Sequence, residues 1–235
     1  MNLTPLVKVQ GNKFYQCDWI IDNFPENYQS LDYIELYAGG ASVLLNKLPS
    51  RFEVFNDLDS GIVQIHRAMR DEPGIFISRL KRIKYCLSTF QRAKRRAETE
   101  FEDYLDFSVN EFIIRRMSVA GNKQVFGGSE KSWGKVIKEL KLVANRLKTV
   151  HIFQKEAKYV LNAYSSLESF AYADPPELDD TDESIRGHCD LANALNNFMG
   201  KAMISGKICV LQKRLYKSWR CVKKQETKEA IWMNY

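Results

Sequence analysis

The stretch Asp32-Tyr33-Ile34-Glu35-Leu36-Tyr37-Ala38-Gly39-Gly40-Ala41-Ser42 passes from aromatic and branched residues to small ones. Asp32 to Tyr37 reads as a strand, and Val43, Leu44, Leu45 and Leu48 give one apolar side to a short helix that stops at Pro49. Small residues between a strand and a helix let backbone approach a ligand closely, and the helix start adds unpaired N–H groups and the positive end of the peptide dipoles. Strand, small-residue turn and helix in that order predict an α/β fold.

Further along, Phe52 to Phe55 reads as a second strand ending in Asn56-Asp57-Leu58-Asp59. Asp57 lies 17 residues beyond Gly40, close to the spacing of about 20 at which nucleotide-binding βαβ units place an acid on ribose hydroxyls. The turn lacks a full G-x-G-x-x-G, and Asn-Asp is also ordinary helix-cap sequence. A helix over Leu58 to Met69 turns Ile62, Ile65 and Met69 inward and is expected to leave His66 on the surface. On the N-terminal side, Leu6 to Lys13 reads as a short strand whose Gly11-Asn12-Lys13 turn exposes the lysine.

The strand-and-helix alternation resumes with a strand over Val150 to Phe153 and a helix over Ala157 to Tyr164. The next strand, Phe170 to Ala173, ends in Asp174-Pro175-Pro176-Glu177. The prolines forbid both a continuing central strand and an immediate helix, so Asp174 is held at a strand end. Ligands of open α/β sheets bind there, which makes Asp174 a candidate for chemistry; a plain turn is the other reading. A helix from about His188 to Phe198, a strand over Ala202 to Ser205 and a hairpin of Trp219 to Lys223 with Ala230 to Asn234 finish the chain.

A chain of 235 residues with 45% hydrophobic content can bury one substantial core with a smaller insert. No run of about 18 apolar residues and no signal-peptide pattern is present, so a soluble, cytoplasmic protein without membrane contact is expected. The five cysteines are scattered without C-x-x-C spacing, and His151 and His188 lack partners spaced as metal ligands. Neither a disulfide framework nor a metal site is supported.

The net charge of +6 is uneven: residues 60–150 hold 19 basic and 10 acidic side chains, the rest of the chain 16 and 19. Such a localised field suits a polyanion, nucleic acid being the commonest, although a solvated helical surface reads similarly. Residues 71–147 show helical periodicity and no central strand, as in an inserted subdomain. Within it Arg92, Lys94, Arg95 and Arg96 precede acidic residues able to pair with some of them, and Arg115-Arg116 lead into the loop Val119 to Ser129. Asn122, Lys123 and Gln124 of that loop are suited to base edges or phosphates, a surface loop being the alternative.

In this order, Gly11-Asn12-Lys13, Glu35 to Gly40, Asn56-Asp57-Leu58, a mid-chain insert, Asp174-Pro175-Pro176, Ser205-Gly206 and the ending Glu229 to Tyr235 resemble the Dam-like and phage-type DNA adenine methyltransferases over nearly the whole chain. The resemblance implies a class I, Rossmann-like S-adenosylmethionine-dependent methyltransferase sheet formed by residues 1–70 and 148–235. The insert, 71–147, is implied to read double-stranded DNA, in a monomer or weak dimer of restriction-modification or phage context. Asp174 and the Pro175 carbonyl would orient the exocyclic amine of a flipped adenine. Asp57 would hold the ribose, Tyr37, Ala38, Gly39 and Gly40 would lie near the methionine part, and Lys13 would belong to an N-terminal cofactor motif. The insert's DNA contacts would include Arg92, Lys94, Arg95, Arg96, Arg115, Arg116, Asn122, Lys123 and Gln124.

Two residues depart from the pattern. Glu177 stands where the family has the tyrosine that stacks on the base, and Lys207 follows Ser205-Gly206 where relatives often have another tyrosine. The two are placed to pair across adjacent strand ends, and a catalytically impaired DNA-binding protein of the same fold is therefore the alternative function.

Overall fold

The computed structural model describes residues 2–101, 103–225 and 227–235. It contains a seven-stranded sheet of order β3-β2-β1-β4-β5-β7-β6, with β1 Asp32–Leu36, β2 Phe52–Asn56, β3 His151–Phe153, β4 Ser169–Ala173, β5 Lys201–Lys207, β6 Arg220–Lys223 and β7 Glu229–Met233. Strand β1 pairs in parallel with β2 and β4, and β4 with β5, while β7 runs antiparallel to β5 and β6. The ten α-helices among the described residues are α1 Cys17–Ile21, α2 Ser42–Asn46, α3 Ser60–Asp71, α4 Pro73–Lys81, α5 Leu87–Arg96, α6 Tyr104–Met117, α7 Glu130–Leu147, α8 Ala157–Ala163, α9 Asp182–Asn196 and α10 Val210–Leu215. None is long and apolar enough to cross a membrane.

The chain divides into two compact units. The sheet unit comprises Asp18–Ala38, Lys47–Leu58 and Phe153–Tyr235. Strand alternation sends Ile34, Leu36, Ala171, Ala173, Ala202, Ile204 and Trp232 into one core with Val160 and Leu161 of α8 and Leu191 and Leu195 of α9. The opposite parity gives Tyr33, Phe170 and Tyr172, which gather around Phe24 with ring centroids 4.7 to 6.1 Å from it. Strands buried on both faces read as the near-continuous apolar runs seen in the sequence.

The helical unit comprises Met1–Cys17, Gly39–Asn46 and Asp59–Ile152. Helix α3 packs on α6 and α7, and α5 on α6. Phe112 of α6 meets Phe76 of α4 and Trp133 of α7 edge to face, a geometry that ring quadrupoles favour. Gly61 of α3 is required by the close approach of α6: a Cβ there would stand 2.3 Å from the Glu111 carboxylate.

Three sequence expectations are corrected. Leu6 to Lys13 is not a strand; the segment has no regular structure up to a short 3-10 turn at Phe14–Gln16, and Lys13 is buried rather than exposed. His66 is fully buried, because α6 and α7 together cover a wider part of α3 than its apolar stripe indicated. Its ring Nδ1 lies 2.8 Å from the Ile62 carbonyl, and burial lowers its pKa to about 4. The helix expected from His188 begins at Asp182, capped by Thr181, whose side chain accepts from the Ser184 N–H.

Candidate active site and nucleic-acid cleft

In the sheet unit, register brings the candidate residues to one edge. Leu36 of β1 is opposite Asn56 of β2 and Ala173 of β4. Tyr37, Asp57 and Asp174 therefore each stand one residue beyond the carboxyl end of three adjacent strands. Neighbouring β1 and β4 leave the sheet's centre in opposite directions of strand order, which is the switch point where α/β sheets bind ligands.

Asp174 is oriented from the neighbouring strand. Ala173 pairs with Ile204, so the next residues face each other, and Ser205 Oγ donates to Asp174 Oδ1 at 2.9 Å. Behind it the buried Tyr172 hydroxyl lies 2.8 Å from the same Ser205 oxygen. Because Ser205 spends its proton on the carboxylate, it accepts from Tyr172, giving a relay of Tyr172 to Ser205 to Asp174. Burial, then the Asp174 charge, push the Tyr172 hydroxyl well above its ordinary pKa and keep it a donor. Sequence pattern did not reveal Tyr172 and Ser205 in this role; strand parity, with Tyr172 two residues before Asp174, was the available signal.

Beyond Asp174, Pro175 is partly exposed and Pro176 is exposed. Lys207 Nζ binds Glu177 Oε2 at 2.6 Å, both side chains about half exposed. The expected pairing across β4 and β5 ends is thus present, and it occupies the position at which the resembled family has a stacking ring.

Tyr37 adopts φ 55°, a left-handed backbone that a residue with a Cβ takes only at a cost of about 1–2 kcal/mol. Burial first, then the Asp57 and Glu156 carboxylates, raise its phenol to about pKa 12. Two carboxylates and a half-buried ring at the strand ends form an acceptor set that fits the donating hydroxyls and amino group of a nucleoside. Glu156, at the start of α8, was not singled out by sequence pattern.

The helical unit holds the other candidates. Gly39 and Ala41 have φ 53° and 58°. Gly40 is required by packing: a Cβ would meet the Val7 carbonyl and Asn12 amide at 2.8 Å. Asn12 receives the Ser42 hydroxyl at 2.5 Å and the Phe14 N–H at 2.8 Å, so the Gly11-Asn12-Lys13 turn is tied to the start of α2.

Of the basic residues in this unit, Arg92, Lys94 and Arg95 are exposed on α5, with Lys94 reaching the Gln124 carbonyl at 3.3 Å. Arg96 binds Asp106 at 2.7 Å. Asn122 caps its own loop by accepting from the N–H groups of Gln124 and Val125, and Lys123 reaches Glu111 at 3.4 Å. Arg115 is committed internally: nearly buried, it grips both Asp59 oxygens at 2.7 Å and Glu111 at 3.0 Å. Burial works against the Asp59 charge, but Arg115 outweighs it and lowers that carboxyl's pKa. The next residue, Arg116, differs. It is 5% exposed, its Nη2 has no hydrogen-bond partner, and burial lowers its pKa to about 10.

Arg116 lines a cleft of about 770 Å³ together with Lys8, Lys131, Lys135 and Lys138. Burial, then Arg116, lower the pKa of Lys8. Glu139 of α7 acts on Arg116 and lies 3.8 Å from Lys135, so the five cations are partly balanced; the unpartnered Arg116 Nη2 and the excess of positive charge suit an anion. Lys131, Lys135 and Lys138 were missed although their i, i+4, i+7 spacing marks one face of α7.

The sheet order, the switch-point carboxylate and the nucleoside-compatible strand ends define the class: a Rossmann-like α/β methyltransferase fold. Residues 10–231 match the family model of the D12 class N6 adenine-specific DNA methyltransferases, and the chain belongs to that family. No curated protein matches the chain.

Proposed function

We propose that the protein transfers a methyl group from S-adenosylmethionine to the exocyclic amino group of an adenine flipped out of double-stranded DNA. The observation that carries this reading is the Asp174 carboxylate, fixed by Ser205 at the switch point and followed by two prolines, in a chain of this family. S-adenosylmethionine, when bound, supplies an electrophilic methyl on a sulfonium. The amine must meet it with its lone pair, which requires both N–H bonds to point elsewhere. Asp174 accepts one and the Pro175 carbonyl the other. The Ser205 hydroxyl turns the carboxylate so that its remaining oxygen faces the amine.

Asp57 is assigned to the ribose hydroxyls, Glu156 to the adenine amino group of the cofactor, and Tyr37 and Ala38 to its methionine side. Gly39, Gly40 and Lys13 enter this proposal on their sequence pattern; for Gly40 the packing against Val7 and Asn12 is a sufficient reason by itself. Residues 71–147 are assigned to DNA, with Arg92, Lys94, Arg95, Arg96, Asn122, Lys123, Gln124 and Arg116 as contacts. Lys8, Lys131, Lys135 and Lys138 join them through the cleft, and Arg115 leaves the set because its guanidinium is already bound.

The Glu177–Lys207 pair favours a second reading, a DNA-binding protein of this fold with impaired turnover. Base stacking on an aromatic side chain is worth about 1–3 kcal/mol, and an ion pair does not supply it. Two measurements separate the readings: calorimetric binding of S-adenosylmethionine, and transfer of labelled methyl to unmethylated duplex DNA. Binding with transfer supports the enzyme; binding without transfer at high protein concentration leaves the second reading. Glu177→Tyr is expected to raise transfer about tenfold or more, and an unchanged rate would remove Glu177 as the limit.

A further inference from the structure

The link between β4 and α9 is pinned to the helix by three side chains. His188 Nε2 lies 3.0 Å from the Pro176 carbonyl, the Asp179 N–H donates to Ser184 Oγ at 3.2 Å, and the Thr181 hydroxyl donates to the Asp179 carboxylate. His188 and Ser184 are four residues apart and so share one face of α9. His188 is 5% exposed.

The partner is a carbonyl, which only accepts, so Nε2 carries the hydrogen. Nδ1 is buried without a hydrogen-bond partner, so the imidazolium would bury a second N–H with nothing to receive it. Burial accordingly lowers the His188 pKa, against the raising effects of the Pro176 bond and Asp179. The ring is a neutral donor fixed in one tautomer.

Its target is the one soft joint of the turn. Ring closure fixes φ of Pro175 and Pro176, and a following proline restricts ψ of Asp174 and of Pro175. The first torsion left free is ψ of Pro176, which swings the Pro176 carbonyl and sets the direction of Glu177. We propose that His188 is a positioning residue of the methyl-transfer site: by donating from Nε2 to the Pro176 carbonyl it locks that torsion and holds the Asp174–Glu177 turn in the geometry that presents the amine. This rests on the methyl-transfer reading given above and adds a residue outside the Asp-Pro-Pro motif to it.

The test compares His188→Leu, which keeps bulk and removes the donor, with His188→Gln, which returns an N–H at similar reach. Initial rates of methyl transfer to duplex DNA, KM for DNA, calorimetric binding of S-adenosylmethionine and thermal melting are measured for each. Expected for His188→Leu is a loss of about tenfold in kcat, the value of one hydrogen bond of about 1.4 kcal/mol. KM and cofactor affinity stay within about twofold, and His188→Gln recovers most of the rate. An undiminished kcat, or losses of kcat, KM and melting temperature together without rescue by His188→Gln, overturns the proposal.

If the wild-type chain transfers no methyl, the methyl-transfer reading fails, and the positioning claim is still read by nitrogen-15 NMR. His188 must then show the neutral Nε2–H tautomer, and the Glu177 amide resonance must move in His188→Leu but return in His188→Gln. The other tautomer, or an unmoved Glu177 amide, overturns it.

Discussion

The turn after β4 and the cleft of the helical unit are both rich in polar groups, yet they balance them in opposite ways. Around Asp174 every named group has a partner inside the protein: Ser205 on the carboxylate, His188 on the Pro176 carbonyl, Lys207 on Glu177. In the cleft the Arg116 Nη2 has none, although the Glu139 carboxylate acts on the guanidinium, and four lysines share the lining. Satisfied groups are pre-organised and suit a step that needs geometry. An unsatisfied buried cation holds free energy that only an incoming anion releases, which suits binding. Arg115 and Arg116 make the contrast within two adjacent residues, one neutralised by Asp59 and Glu111, the other left for a ligand.

The sharpest way to break this contrast is Asp174→Asn. It keeps shape and removes the charge, and is expected to lower kcat by about a hundredfold to a thousandfold, in the range found for losing one pre-organised electrostatic group. S-adenosylmethionine affinity, measured calorimetrically, is expected to stay within a few fold. A large loss of affinity with little loss of kcat would move Asp174 from the geometric side of the comparison to the binding side.

Next in size is Arg116→Met, expected to weaken duplex DNA binding by about tenfold or more while raising thermal stability, since a buried guanidinium with an unsatisfied Nη2 is removed. A titration of affinity against salt gives the companion measurement. Lys138→Met is expected to flatten the slope of log affinity on log salt by about 0.9, one phosphate contact, across all sequences tested. Unchanged slopes for both variants would show that the cleft does not meet phosphates.

The smallest effect is expected from Lys207→Met. A half-exposed ion pair is worth about 0–1 kcal/mol, so melting should move by no more than a few degrees. A larger loss would mean that the pair braces the turn as His188 does.

How much of this was legible differs between the two regions. Strands β1, β2 and β4, the Asp57 strand end and the Asp174-Pro175-Pro176 stop were readable because local chemistry decides them: apolar runs of strand length, small residues at a turn, and prolines that cannot extend a ladder. The partners of Asp174 were less so, since Ser205 comes from a strand 31 positions away in the chain and is brought opposite by register. His66 was misjudged for a related reason. Helical periodicity tells which stripe of α3 is most apolar but not that α6 and α7 cover more than that stripe.

The sequence by itself therefore determined the chain order of the seven sheet strands, the placement of a carboxylate and two prolines at a strand end, and the uneven charge that points to a polyanion. Only the tertiary structure decided which polar groups meet: that Arg115 grips two carboxylates while the Arg116 Nη2 has no hydrogen-bond partner, that Lys8 joins three lysines of α7, and that His188 holds the Pro176 carbonyl. The physical reason is range. Backbone preference and hydrophobic periodicity act between near neighbours in the chain, whereas desolvation and hydrogen-bond satisfaction depend on groups that only packing brings within 3 Å.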